Sequence, residues 1–200
     1  MAGTAFTPSI LSRPVYAGLV SRGATPAIML AEGEGALALM ALADHDPAVM
    51  GHAHIIHIPA GTGHGAALQA LGPAMYHEGP TLPAVLPRLR KALGDAHMGT
   101  ALYIAGTEGV IGQVTAEALA AGVAAGAIST EHHGGAARRM QCVHCKGITE
   151  DVVTDPFICS HCGLSLFVRD HFSRRLGAFQ GVCVDAETPG QIPAMQEIRP

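Results

Sequence analysis

Two pairs of cysteines carry the strongest chemical signal in this chain: Cys142-Val-His-Cys145 and Cys159-Ser-His-Cys162, separated by residues 146–158. A thiolate is a soft donor, and a C-x-x-C knuckle aims two of them at one point. Two facing knuckles complete a tetrahedron around one cation. Cys142, Cys145, Cys159 and Cys162 are therefore the expected metal ligands, with Zn2+ held in a small ribbon module. A cage of four thiolates leaves no position open for a substrate, so it braces the chain and does not catalyse. Iron in a rubredoxin-type arrangement uses similar knuckles and would carry electrons, and that reading stays open beside zinc. His144 and His161 occupy the last spacer of each knuckle and read as exposed residues, with a role as alternative metal ligands or as supports of the ligands the competing reading. Residues 146–158 are expected to form a hairpin arm turning at Asp155-Pro156. Cys183 is left without a partner in a short strand pattern, where a buried thiol is expected.

Other reactive residue types give weaker signals. Glu32-Gly-Glu-Gly35 follows a strand pattern and opens a helical one, the place where a nucleotide-binding fold cradles pyrophosphate. Its two glutamates would repel phosphate, and the full G-x-G-x-x-G spacing is missing. No cofactor-binding residue is assigned there, and no catalytic residue anywhere. His52, His54, His57 and His64 are dense but have no carboxylate among them. His52 and His54 fall on one strand face and His57 on the other, as at a partly exposed strand end. His132-His133 reads as loop. Arg169-Asp-His-Phe-Ser-Arg-Arg175 is the densest charged cluster, and Arg169, Arg174 and Arg175 suit subunit docking or anion recognition. A solvated helix start with Asp170 near its N-cap is the competing reading.

The elements that must position these residues divide in two. Before Gly134-Gly135 the chain is rich in Ala, Gly and Leu and has no cysteine; all five cysteines follow. The expected division is an α/β domain over residues 1–135, a zinc ribbon over 136–188 and a tail over 189–200. In the first part, strand patterns at 25–30, 52–58, 74–78, 101–105 and 127–130 alternate with helical runs ending near Ala43, Leu71, Leu93 and Ala121. Pro83 and Pro87 suggest that the third helix starts late or kinks. Such alternation predicts a Rossmann-like parallel sheet with helices on both faces, and ligands in such sheets sit beyond the strand ends.

Composition narrows the function classes. With 48% hydrophobic residues among 200, a core is affordable and disorder is excluded. A net charge of −4 supplies no field for nucleic acid or anionic lipid. At 14%, charged residues are so sparse that burial of the surface by partner subunits is expected. The start lacks an export signal and the apolar runs are too short for a bilayer, so a cytoplasmic location is expected.

Two resemblances sharpen this reading. Ala101 to His133 resembles the last strand–helix–strand of the pyridine-nucleotide module in ferredoxin-reductase-like flavoproteins, with Ala105-Gly106-Thr107 and Ile128-Ser-Thr-Glu131 in place of that family's Cys-Gly-Pro and Ile-x-x-Glu elements. The paired knuckles followed by Cys162-Gly-Leu-Ser-Leu-Phe-Val-Arg-Asp-His-Phe-Ser-Arg-Arg175 resemble the small zinc-ribbon subunit of dimethylamine monooxygenase, the DmmA family. That resemblance implies a non-catalytic subunit of a complex that converts dimethylamine to methylamine and formaldehyde with O2 and NADPH. It also implies haem in a catalytic partner subunit, and FMN with an iron–sulfur cluster in a reductase partner. An NAD(P)H-binding protein and a rubredoxin-like electron carrier are the alternatives.

Overall fold

Apolar strands buried on both faces need helices above and below them. The computed structural model, which describes residues 10–198, has that arrangement. Strands β1 (Ala27–Glu32), β2 (Ala53–Ile58), β3 (Met75–Glu78), β4 (Ala101–Gly106) and β5 (Ile128–His132) form one parallel sheet in the order β3-β2-β1-β4-β5. Helices α1 (Gly35–His45) and α2 (Gly65–Ala70) cover one face over Met29, Leu39, Ile55 and Leu68. Helices α3 (Leu82–Gly94) and α4 (Glu108–Ala120) cover the other over Leu30, Ile56, Leu89, Ile104 and Val114. The Rossmann-like sheet with helices on both faces is thus the observed architecture.

Helix α3 begins at Leu82 and not late, because Pro83 falls in the first turn. A proline there gives up an N–H that has no intrahelical partner anyway. Pro87 lies inside the helix, while Leu82, Val85, Leu89 and Leu93 keep their apolar stripe against the sheet. Helix α4 starts on Thr107, whose hydroxyl accepts from the Val110 amide at 3.5 Å. It ends at Gly122, whose φ of +89° suits the left-handed turn after a helix.

Beyond these, β6 (Arg138–Cys142), β7 (Ile148–Val152), β9 (Phe157–Ile158), β10 (Ser165–Ser173) and β11 (Ala178–Cys183) form a second sheet in the order β7-β6-β11-β10-β9. Two-residue strands β8 (Thr154–Asp155) and β12 (Gln196–Glu197) pair with each other beside it. Two expectations are corrected here. Residues 146–158 do not fold back on themselves: β7 pairs with β6 and β9 with β10, so the segment runs from one edge of the sheet to the other. Each knuckle tips its own hairpin. Arg169–Ser173 is likewise no helix start. It belongs to β10, whose register against β11 shifts between Arg169 and Phe172. Burial of Leu166 and the edge-on contact of Phe172 with Phe179, 4.8 Å between centroids, hold it extended.

The two sheets meet along α4. A Cβ on Gly112 would sit 2.8 Å from the Gly177 carbonyl oxygen, and one on Gly177 would sit 2.4 Å from the Gly112 carbonyl carbon. Only two glycines allow backbones this close. Around that contact, Asp170 accepts from Arg138 at 2.9 Å and pairs with Arg13 at 3.2 Å, while Arg138 also lies 3.7 Å from Glu108. Tyr16 donates to Glu108 at 2.9 Å. Burial pushes the Glu108 carboxyl upward, against the Tyr16 hydrogen bond and the charges of Arg138 and Arg13.

Candidate functional site

The four predicted ligands converge. Cys142 and Cys145 flank the tip between β6 and β7, and Cys159 and Cys162 the tip between β9 and β10, with all four Sγ atoms within 4.8 Å of one another. Cys142 and Cys162 sulfurs are 3.9 Å apart, and Cys145 and Cys159 sulfurs 3.7 Å. A tetrahedron with metal–sulfur bonds of about 2.3 Å has edges of about 3.8 Å, so the cage fits a zinc-sized cation. Burial pushes the Cys159 thiol up, but the backbone N–H groups of Cys162 and His161 and the neighbouring thiols outweigh it and bring it down to about 6. A sulfur so placed gives up its proton readily to a metal.

The knuckles are also tied directly. The Ser160 amide donates to the Thr149 hydroxyl at 3.1 Å, and His161 Nε2 lies 2.7 Å from the Ile148 carbonyl. These contacts bring the β7 edge against the knuckle at the opposite edge, so the sheet curls around the cage. Gly147 is needed there, since a Cβ would stand 2.5 Å from the His161 ring. His144 and His161 are exposed. Cys183 is half-buried at the end of β11 and not enclosed as expected. Its thiol donates to Asp185 at 3.2 Å, and that bond raises it.

The strand-end crevice of the parallel sheet has a different chemistry. Glu32, at the end of β1, accepts from the Thr107 amide at 3.0 Å and the Thr107 hydroxyl at 2.6 Å. The start of α4, where a phosphate would be favoured, therefore carries the chain's own carboxylate. Glu34 lies 3.4 Å from His64 Nε2 at the start of α1. Glu78 ends β3, accepts from Tyr76 at 2.5 Å and reaches 3.0 Å from His57 Nδ1; the Tyr76 hydrogen bond, then His57, holds it below the usual carboxylate range. Gly35 is pressed so near β4 that a Cβ would stand 2.3 Å from the Ala105 oxygen.

The histidines do not form one site. His57 is fully buried, unlike a partly exposed strand end, because Tyr76 and Glu78 on the neighbouring strand enclose its ring. His54 is buried on the opposite face, toward Arg88. His132 ends β5 and is not loop, whereas His133 follows the strand in the loop as expected and pairs with Glu131 at 2.9 Å; both are buried. Among the described residues, only the four cysteines gather as a metal set.

The predicted docking arginines do not share one patch. Arg169 lies over the Phe167 ring at 5.6 Å and edges a cavity of about 700 Å³ that also holds Arg13, Arg138 and His171. Arg174 edges a separate groove of about 270 Å³ beside Tyr16 and Phe172, and Arg175 a third hollow. Sequence reasoning missed the ion-paired knot of Arg13, Glu108, Arg138 and Asp170. No local pattern signals it, because Arg13 and Asp170 are 157 residues apart in the chain. It also missed the Tyr76–Glu78–His57 cluster, for which the period-two spacing of Tyr76 and Glu78 was the available sign.

Comparison with known proteins completes the picture. Residues 8–128 match the N-terminal domain of the dimethylamine monooxygenase subunit DmmA-like family, and residues 139–182 match its C-terminal domain. The haem-dependent oxidative N-demethylase delta subunit of Ectopseudomonas mendocina (strain ymp) is 39% identical over 103 residues, covering 52% of this chain and 59% of that relative's length. Phthalate dioxygenase reductase, described as a modular structure for electron transfer from pyridine nucleotides to [2Fe-2S], aligns at 13% identity and TM-score 0.44 over 66% of this chain and 46% of its own. An intact type IV self-sufficient cytochrome P450 monooxygenase aligns at 16% identity and TM-score 0.47 over 80% and 21%. No helix among the described residues is long and apolar enough to cross a membrane.

Proposed function

The chain belongs to the dimethylamine monooxygenase subunit DmmA-like family, and from that premise we propose that it is a non-catalytic subunit of a haem-dependent oxidative N-demethylase. The complex would oxidise dimethylamine to methylamine and formaldehyde with O2 and NADPH. Haem would reside in a catalytic partner subunit, and FMN with an iron–sulfur cluster in a reductase partner. This chain would dock them in the cytoplasm, with Arg169, Arg174 and Arg175 at the contacts. Cys142, Cys145, Cys159 and Cys162 would hold Zn2+, which supplies a closed-shell structural clamp.

The observation that supports a docking role best is the Glu32 carboxylate on Thr107, at 2.6 Å from its hydroxyl and 3.0 Å from its amide. A dinucleotide phosphate would have to displace it from the helix start and then face Glu34, whose neighbour Gly35 is pressed against Ala105. A reductase-like sheet with its phosphate position self-occupied keeps the shape of the module without the binding chemistry. The zinc cage, closed on all four sides, adds rigidity to the other half.

The assembly purified intact and assayed chain by chain tests this reading. One zinc per copy of this chain is expected, with haem and flavin on other chains and no thermal shift of the isolated chain with NADPH. Replacing Arg169, Arg174 and Arg175 together by Ala is expected to reduce co-purification of the partners at least about tenfold. A saturable NADPH site on this chain, or a coloured redox-active iron centre, overturns the proposal.

A further inference from the structure

Arg88 and Arg90 stand two residues apart on α3 and are partnered very differently. Arg90 donates from Nε and Nη2 to the two Glu117 oxygens at 2.8 and 2.6 Å. Arg88 is half-buried and points to the N-terminal ends of the parallel strands, away from the crevice that carries Glu32. Its Nε donates to His54 Nε2 at 3.3 Å, and its Nη2 reaches only the Met75 sulfur, at 4.0 Å. Among the described residues, no carboxylate lies within ion-pair distance of it. A planar fork of donors is left facing a hollow, and Arg is the side chain whose fork matches two oxygens of one anion.

That hollow has a volume of about 220 Å³. Besides Arg88 it is edged by His52, His54, Lys91, Asp95 and His97, over a floor of small apolar side chains. His54 is 6% exposed, and burial, then the charges of Arg88 and His77, keeps its imidazole below its ordinary value. A neutral His54 accepts from Arg88 and so fixes the plane of the guanidinium. Among the described residues, Asp95 is the single acid edging the hollow, and it is already bound by Lys91 at 2.9 Å. Lys91, in the last turn of α3, offsets the negative end of that helix. The charge of Arg88 is therefore in surplus.

We propose that this hollow binds a small oxyanion, a carboxylate or a phosphate monoester, seated on the Nη edge of Arg88 with Lys91 and the rim imidazoles of His52 and His97 around it. The site lies at the opposite end of the sheet from the crevice and stands independently of the function proposed above. Its volume admits the anionic group and a short carbon chain against the apolar floor.

Isothermal titration of the metal-loaded full chain with inorganic phosphate, and separately with acetate, at ionic strength held constant with chloride, tests the proposal. One saturating site is expected, with a Kd of about 1 mM or tighter for one of the two anions. Saturation by phosphate identifies a phosphate ester as the source, and saturation by acetate a carboxylate. R88M is expected to weaken that binding at least about tenfold while R90M leaves it unchanged. R88K is the folded alternative should R88M lose its thermal transition, and it is expected to retain part of the affinity. If neither anion saturates, or if both Arg88 variants bind as the parent does, the proposal fails and Arg88 serves only as the partner of His54 and Met75.

Discussion

The two sheets reach stability by different routes. The parallel sheet buries two continuous apolar layers, Met29, Leu39, Ile55 and Leu68 on one side and Leu30, Ile56, Leu89 and Ile104 on the other. The second sheet encloses only Met140, Cys142, Val152, Phe157, Cys159, Leu166 and Phe179, and two of those are the buried thiols of the cage. A core that small does not offset the entropy of ordering its strands without a staple. The first half therefore spends its chemistry on self-sufficiency, filling its own crevice with Glu32, whereas the second leaves four donors reaching for something outside the chain.

Four measurements can break or sharpen this contrast. The largest effect belongs to Cys142→Ser, which removes a buried ligand and, with it, a structural metal whose contribution is on the order of 10 kcal/mol. Hydrogen exchange is expected to lose protection across β6 to β11 while β1, β2 and β4 keep theirs; equal loss in both sheets would erase the distinction. Next comes Gly177→Ala. It places a Cβ 2.4 Å from the Gly112 carbonyl carbon at a φ of +59°, and about 2–4 kcal/mol should be lost. In urea, the variant is expected to unfold in two transitions, one for each sheet, where the parent is expected to unfold in one.

Smaller still is Glu32→Ala, which strips the Thr107 amide and hydroxyl of their acceptor at a cost of about 1–3 kcal/mol. The urea midpoint should fall while the bound-metal content matches that of the parent. The smallest effect is the pH dependence contributed by His54. Burial lowers its folded value below the unfolded one, so the unfolded chain binds the extra proton. The stability it contributes is present above about pH 6.5 and lost as pH falls toward the depressed folded value. H54Q should flatten that part of the urea-midpoint profile relative to the parent, and an unchanged slope would assign the titration elsewhere.

How much of this was readable in the chain differs between the halves for a physical reason. Apolar runs and helical spacing are local, so strands near 27–32, 53–58 and 101–106 and the helices between them were legible, as was the convergence expected of Cys142, Cys145, Cys159 and Cys162. Strand pairing is not local. Residues 146–158 look like a hairpin because nothing in their own composition says that each end pairs outward, with β6 and with β10. The competing reading of a helix start at Arg169 fails for the same reason, since the extended state of Arg169–Ser173 is imposed by β11 and the Phe172–Phe179 contact. The enclosure of His57 depended on Tyr76 and Glu78, which only the β2–β3 register brings alongside.

Strand β11 lies between β6 and β10, which carry one knuckle each, yet it is the last of the sheet to be synthesised. Until Ala178–Cys183 has left the ribosome, the two hairpins have no central strand between them, and only the Thr149–Ser160 and Ile148–His161 contacts hold the thiol pairs together. A nascent chain ending near Arg175 would display every donor on hairpins not yet joined through β11, and is expected to hold a cation less firmly than the finished sheet. Firm metal retention is thus expected only once this module is complete, and a product truncated before Ala178 would be recognisable by its weaker hold on the cation.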